Sequence, residues 1–251
     1  MTMTANLIKS VAPSVFSTTP SPSMSNRYTF VPTFEIIENF EREGWTVSSA
    51  RQIGKSDFSK HEIRLRNGQL PNVGDSLVEA LISNSHNGMS TFQISTGLHR
   101  LVCSNGLTVP TSVADTISIR HSNMDMGEIR RVTDEFAERL PIIQRSVSKM
   151  ENTFLSEQQS LDLLNKAAFL RWQKNSIPVR INMEELLVAE READMGNSVW
   201  QTFNVIQEKF VRGGTQYRTG RGRSMTMKSL KDFQVINKIN TGLWELAESY
   251  C

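Results

Sequence analysis

Between Lys209 and Lys231 the chain carries seven basic residues and no acid. They are Lys209, Arg212, Arg218, Arg221, Arg223, Lys228 and Lys231, interrupted by Gly213, Gly214, Gly220 and Gly222. Net charge is +2 overall, so this segment stands at +7 and the remainder at −5. Glycines let a backbone approach a phosphate and free its N–H groups. Arginines supply planar forks of donors that match phosphate oxygens. Tyr217, inside the segment, offers a ring on which a base can stack. The chemistry implied is affinity for nucleic-acid phosphates without base reading. The segment is not a Walker loop, because no Gly-Lys-Ser or Gly-Lys-Thr follows at the required spacing.

A second basic group lies early in the chain. His61 to Arg66 alternates, with Ile63 and Leu65 to one side and Arg64 and Arg66 to the other. That pattern predicts a half-buried strand with a basic outer face, strengthened by Arg51, Lys55 and Lys60. Arg100 is expected to join Arg64 and Arg66 in a groove beside the basic loop.

Other chemistry is poorly supported. His99 and Cys103 fall on one strand face, too far apart for the imidazole to reach the thiol, so Cys103 reads as a structural core cysteine. The histidines at 61, 86, 99 and 121 are scattered, and Glu184, Glu185, Glu190, Glu192 and Asp194 read as a solvated face. No metal, cofactor or catalytic constellation is called, and a non-catalytic binding protein is the expectation. Two cysteines without metal spacing suggest a reducing compartment. No apolar run is long enough to span a membrane, and no signal peptide is visible, so the cytoplasm is expected.

The elements that must position these residues follow from periodicity. Residues 1–26 are rich in Ser, Thr and Pro and read as a flexible arm, with one short contact through Leu7 and Ile8. Residues 27–251 read as a single α+β domain. A short strand at Arg27–Val31 is expected, then a helix capped by Thr33, then strands at Trp45–Arg51, His61–Arg66, Ser76–Ser83, Thr91–Thr96 and Thr116–His121. After Met126 the apolar steps become three and four, which predicts helices across Glu128–Phe154 (with Pro141 inside it), Ser156–Lys174, Asn182–Val188, Ser198–Phe210 and Leu230–Leu246. The fold class is therefore α+β, with an antiparallel strand-rich N-terminal half and a helical C-terminal half.

Several blocks carry a resemblance. They are Tyr28-Thr29-Phe30-Val31-Pro32-Thr33, Glu43-Gly44-Trp45, His61-Glu62-Ile63-Arg64-Leu65-Arg66, Gly97-Leu98-His99-Arg100-Leu101-Val102-Cys103-Ser104-Asn105-Gly106-Leu107, Trp200-Gln201-Thr202-Phe203, Arg212-Gly213-Gly214 and Asn240-Thr241-Gly242-Leu243-Trp244. Together they resemble a prokaryotic phage/plasmid-like family, domain of unknown function 932. The resemblance implies a mobile-element origin and a nucleic-acid-handling context near recombination, but no activity. The function expected is sequence-nonspecific DNA binding in phage or plasmid recombination or maintenance, with single strands somewhat preferred. Arg212, Arg218, Arg221, Arg223, Lys228, Tyr217, Arg64, Arg66 and Arg100 would make the contacts, and homo-oligomers would extend the site. The alternative is an effector that binds a host protein and inhibits a defence system.

Overall fold

The computed structural model describes residues 2–28, 30–100, 106–108, 126–172, 180–219 and 221–251. The expected strand at Thr116–His121 and the residue Cys103 lie outside them. The chain divides into two compact units, Met1–His99 with Ala114–Pro141, and Arg100–Val113 with Ile142–Cys251. Strands dominate the first half and helices the second, as the change of period implies.

The first unit is built on a sheet of β1 (Trp45–Ile53), β2 (Lys60–Asn67), β3 (Ser76–Asn84) and β4 (Gln93–Arg100), neighbours in that order. β2 runs antiparallel to both β1 and β3. Alternation places Ile63, Leu65, Ala80, Ile82 and Ile94 on one face, where they share a core with α1 (Ala5–Val11) and α2 (Thr33–Arg42). α2 contributes Ile36, Ile37 and Phe40 at helical spacing, and Phe40 meets Trp45 edge-on at 5.5 Å. Gly44, at φ +83, makes the tight reversal between that helix and β1.

The N-terminal segment is not a loose arm. Thr4 caps α1, a 3₁₀ turn follows at Pro13–Phe16, and Ile8, Ala12 and Val15 are buried in the core. The steps of four and three between them form a helical stripe, so Ile8 points inward while Leu7 stays 47% exposed. The Met3 amide donates to the Val47 carbonyl at 2.8 Å and ties the segment to β1. Ser, Thr and Pro here serve caps and turns rather than disorder.

The described residues of the strand expected at Arg27–Val31 form no strand. The Val31 carbonyl accepts from Asn84 Nδ2, and the Tyr28 hydroxyl donates to the Ser85 carbonyl. Side chains thus take backbone groups that a strand partner would have used. Thr33 begins α2 instead of capping it, because its hydroxyl is engaged by His61 Nε2 at 2.9 Å and Asn84 Nδ2 at 2.9 Å. His61 has no exposed surface, and its Nδ1 lies 2.8 Å from the Ser14 hydroxyl. His86 lies beside it at 5.1 Å between ring centroids. Burial is the main cause that lowers His61 to a pKa of about 3, with His86 adding repulsion, and burial lowers His86 to about 4.

The second unit is helical. It contains β5 (Gly106–Thr108), the second part of α3 (Met126–Asn152), α4 (Glu157–Arg171), β6 (Arg180–Ile181), α5 (Val199–Arg212), β7 (Gln216–Arg218), β8 (Ser224–Thr226) and α6 (Phe233–Glu248). Capping boxes start two of the helices: Ser156 with Gln159 opens α4, and Ser198 with Gln201 opens α5. Asp232 caps α6 by accepting from the amides of Gln234 and Val235. Trp200, Phe203 and Trp244 pack together at centroid distances of 5.4 to 5.9 Å and fix α5 against α6. Gly242 leaves room for Leu170 of α4, whose side chain would lie 2.8 Å from an added Cβ. The helix expected at Asn182–Val188 is only a 3₁₀ turn at Glu184–Leu187, too short a span for i to i−4 bonding to propagate.

Two outcomes check this account. Ile8→Ala should cost about 2–4 kcal/mol in urea unfolding, where a mobile arm would give no change. The buried histidines stay neutral in the folded chain, while the unfolded chain takes up their protons below pH 6.5. Stability from this source is therefore complete above pH 6.5 and falls as pH drops toward 4 and then 3. The two together should remove about 3 kcal/mol between pH 6.5 and 5, read from urea midpoints, and His61→Gln should flatten that slope.

Candidate nucleic-acid interface

The basic segment leaves α5 at Gly213, which adopts φ +74 and donates its amide back to the Lys209 carbonyl. It then forms a hairpin. β7 pairs with β8 in the register Gln216 to Thr226, Tyr217 to Met225 and Arg218 to Ser224. β6 adds a third strand on the other side of β7, with Arg180 opposite Arg218 and Ile181 opposite Tyr217. The tip is closed by Thr219 N–H to the Arg223 carbonyl at 2.9 Å and by Gly222 N–H to the Thr219 carbonyl at 2.8 Å.

The base of the hairpin is pinned. Gly214 N–H donates to the Met227 carbonyl, Met227 N–H to the Thr215 carbonyl, and Leu230 N–H to the Val211 carbonyl. Arg171, at the end of α4, donates through Nη2 to the Lys228 carbonyl at 2.6 Å. A segment read as a loop is thus a small sheet held from two helices.

Its charges are unequal. Lys209 bridges Glu190, and Arg212 Nη1 bridges Glu208 at 2.8 Å. Glu208 is nearly buried and also takes both Arg191 Nε and Nη2, so Arg212 is largely committed within the fold. The other five cations form no ion pair among the described residues, and Arg218, Arg221, Arg223, Lys228 and Lys231 are all exposed. Gln216, Arg218, Ser224 and Thr226 occupy the exposed positions of the two strands, while Tyr217 and Met225 take the half-buried ones.

The early arginines behave differently. Arg64 lies on the sheet face opposite the apolar core, but that face is not open. Its side chain is 4% exposed and spans Glu62 at 3.2 Å and Glu79 at 2.9 Å. Arg66 Nε reaches Glu79 at 2.8 Å, and Arg51 Nη2 reaches Glu62 at 2.7 Å. The expected basic outer face is corrected to an internal ladder of alternating charge, which pairs Arg64 with Glu62 and Glu79 and Arg66 with Glu79. Burial acts to raise the Glu79 carboxyl, but Arg64 and Arg66 outweigh it and hold it below the usual range. Arg100 closes β4 by its backbone. Among the described residues no three His, Cys, Asp or Glu side chains gather as metal ligands, and no helix is long and apolar enough to cross a membrane.

Sequence reasoning found the hairpin's cations but missed what neutralises its ends. Glu208 precedes Lys209 by one residue and Arg212 by four, so that pair was readable as a helical i, i+4 couple. Glu190 lies 19 residues before Lys209 and needed the tertiary fold. The brace from Arg171 carried no local signal.

Gly213 is the sharpest test of the hairpin's rigidity. A Cβ there would sit 2.3 Å from the Met227 carbonyl oxygen in a backbone conformation that L residues avoid. Gly213→Ala should cost about 2–3 kcal/mol in denaturant unfolding and raise amide exchange across Gln216–Thr226.

Comparison with known proteins gives the lineage. The family described as Domain of unknown function (DUF932) matches residues 21–234, across both units. The UPF0380 protein YafZ of Escherichia coli (strain K12) is 29% identical over 245 residues, 95% of this chain and 88% of the relative. The UPF0380 protein YfjQ of the same strain is 30% identical over 248 residues, with the same coverage. No solved structure matches. A family match over most of the chain, joined to near full-length similarity with two bacterial relatives, establishes that the chain belongs to the DUF932 family.

Proposed function

We propose that the chain is a non-catalytic DNA-binding protein that grips strand phosphates through the β7–β8 hairpin, without reading sequence. The observation that carries this is the set of five exposed cations, Arg218, Arg221 and Arg223 on the braced hairpin and Lys228 and Lys231 in the segment that follows it, none of them in an ion pair among the described residues. Charge that serves only solubility is usually interleaved with acids; here the counter-charges stop at Lys209 and Arg212. A hairpin fixed at its base loses little freedom on binding, so more of each arginine–phosphate contact appears as affinity. Half-exposed Tyr217 beside Arg218 gives an unpaired base a surface for stacking, which favours single strands. The phage/plasmid-like character of the family fits work in recombination or maintenance of a mobile element, in the cytoplasm of its host. Copies of the chain side by side would lengthen the phosphate track.

Fluorescence anisotropy with single-stranded and duplex oligonucleotides across a salt series tests the reading. The wild type should bind at low salt and weaken steeply as salt rises. Changing Arg218, Arg221 and Arg223 together to Ala should weaken all sequences alike and reduce the magnitude of the log–log salt slope by about 2 for single strands. Absence of binding at low salt would sink the proposal and leave the host-protein effector as the working reading. Equal affinity in the triple variant would move the site elsewhere.

A further inference from the structure

The two faces of the hairpin sheet differ in chemistry. Register places Ile181, Tyr217 and Met225 opposite one another across β6, β7 and β8, and all three are half-buried. Gln216, Arg218, Ser224 and Thr226 alternate with them and stand exposed on the other face. The apolar face is most buried at the base of the hairpin, where Met227 donates its amide to the Thr215 carbonyl and is 4% exposed. Tyr217 belongs to the last apolar row before the tip. Among the described residues its ring meets no other ring and its hydroxyl has no hydrogen-bond partner. A tyrosine held in a core ordinarily has both. Beyond this row, Arg221 and Arg223 are exposed at the tip.

We propose that the hairpin's DNA partner is a junction of duplex and single strands, with the two strands parting on either side of the hairpin. The proposal rests on the phosphate-gripping reading above and names the form of DNA that the same element takes. Arg218 and Tyr217 are neighbours in sequence, but alternation turns them to opposite faces, whose side chains project about 10 Å apart. One strand laid along either face meets the chemistry of that face only. A closed duplex offers its phosphates to Arg218, but its paired bases present no free surface to Tyr217. Where a duplex opens, the strands diverge from one point. One passes Arg218 with its backbone, and the other lays an unpaired base on Tyr217, flanked by Ile181 and Met225. Arg221 and Arg223 then lie in the crotch, where the phosphates of both strands come closest. The bonds from Arg171 to the Lys228 carbonyl and from Leu230 N–H to the Val211 carbonyl hold the element upright between the strands. Recognition is of branch shape, because no base edge is read.

Fluorescence anisotropy at one fixed salt concentration tests this, with a forked DNA of one duplex and two unpaired arms, and with duplex and single strand alone at equal nucleotide count. The wild type should bind the fork about tenfold or more tighter than either component, beyond the roughly twofold that summed independent sites would give. Tyr217→Leu, which keeps an apolar side chain in the row but loses the stacking face, should bring the preference down to about twofold. Its salt slope on the single strand should stay as in the wild type, because the ring carries no charge. Tyr217→Phe, which keeps the ring and loses the hydroxyl, should retain the preference. Equal affinity for fork and single strand, or a fork preference that survives Tyr217→Leu, overturns the proposal and leaves the phosphate grip standing. Absence of binding to all three DNAs would overturn the hairpin reading and this proposal with it.

Discussion

A carboxylate cut off from water must be answered by a cation, and Glu79 in the middle of the first sheet imposes that condition on everything around it. It has no exposed surface and is held by Arg64, Arg66 and Ser48. Glu62 imposes the same condition one strand away, through Arg51 and Arg64. Such ladders contribute little net stability compared with apolar packing, but removing one member leaves a stranded charge. Their effect is on specificity. Arg66 lies opposite Glu79 only in the observed register of β2 and β3, and a slip by one residue would turn every charge into the apolar core. The apolar face and the charged face therefore enforce the same pairing.

This explains why the two basic regions, similar in the sequence, differ in the fold. Arg64 and Arg66 alternate with Ile63 and Leu65, and alternation reveals two faces without saying which is wet. The deciding residues were present: Glu62 is two positions from Arg64 on the same strand face, but Glu79 enters only through strand pairing. In the hairpin no acid is opposite the arginines in either neighbouring strand, and the charge stays outward.

Much of the fold was legible because its signals are local. The three-and-four steps marked α3 to α6, Ser156 with Gln159 marked the start of α4, and alternation marked β2 and β4. What was missed rested on distant partners. Ile8, Ala12 and Val15 form a helical stripe, but its worth depends on a sheet that begins only at Trp45. Thr33 looked like a cap and became a partner of His61 and Asn84. The hairpin's position was readable from its glycines; its braces, from Arg171 and from the backbone around Gly213, were not.

The packing of α1 has a consequence for how the chain is made. During synthesis this helix leaves the ribosome before any strand that covers it, and its core partners extend as far as Ile94. Ile8, Ala12 and Val15 must therefore wait, uncovered, while the sheet is translated. Ser14 waits likewise for His61, 47 residues on. Vectorial translation thus delays closure of the first unit until its fourth strand emerges, and until then the α1 segment, too short to hold a helix unsupported, keeps its apolar stripe uncovered.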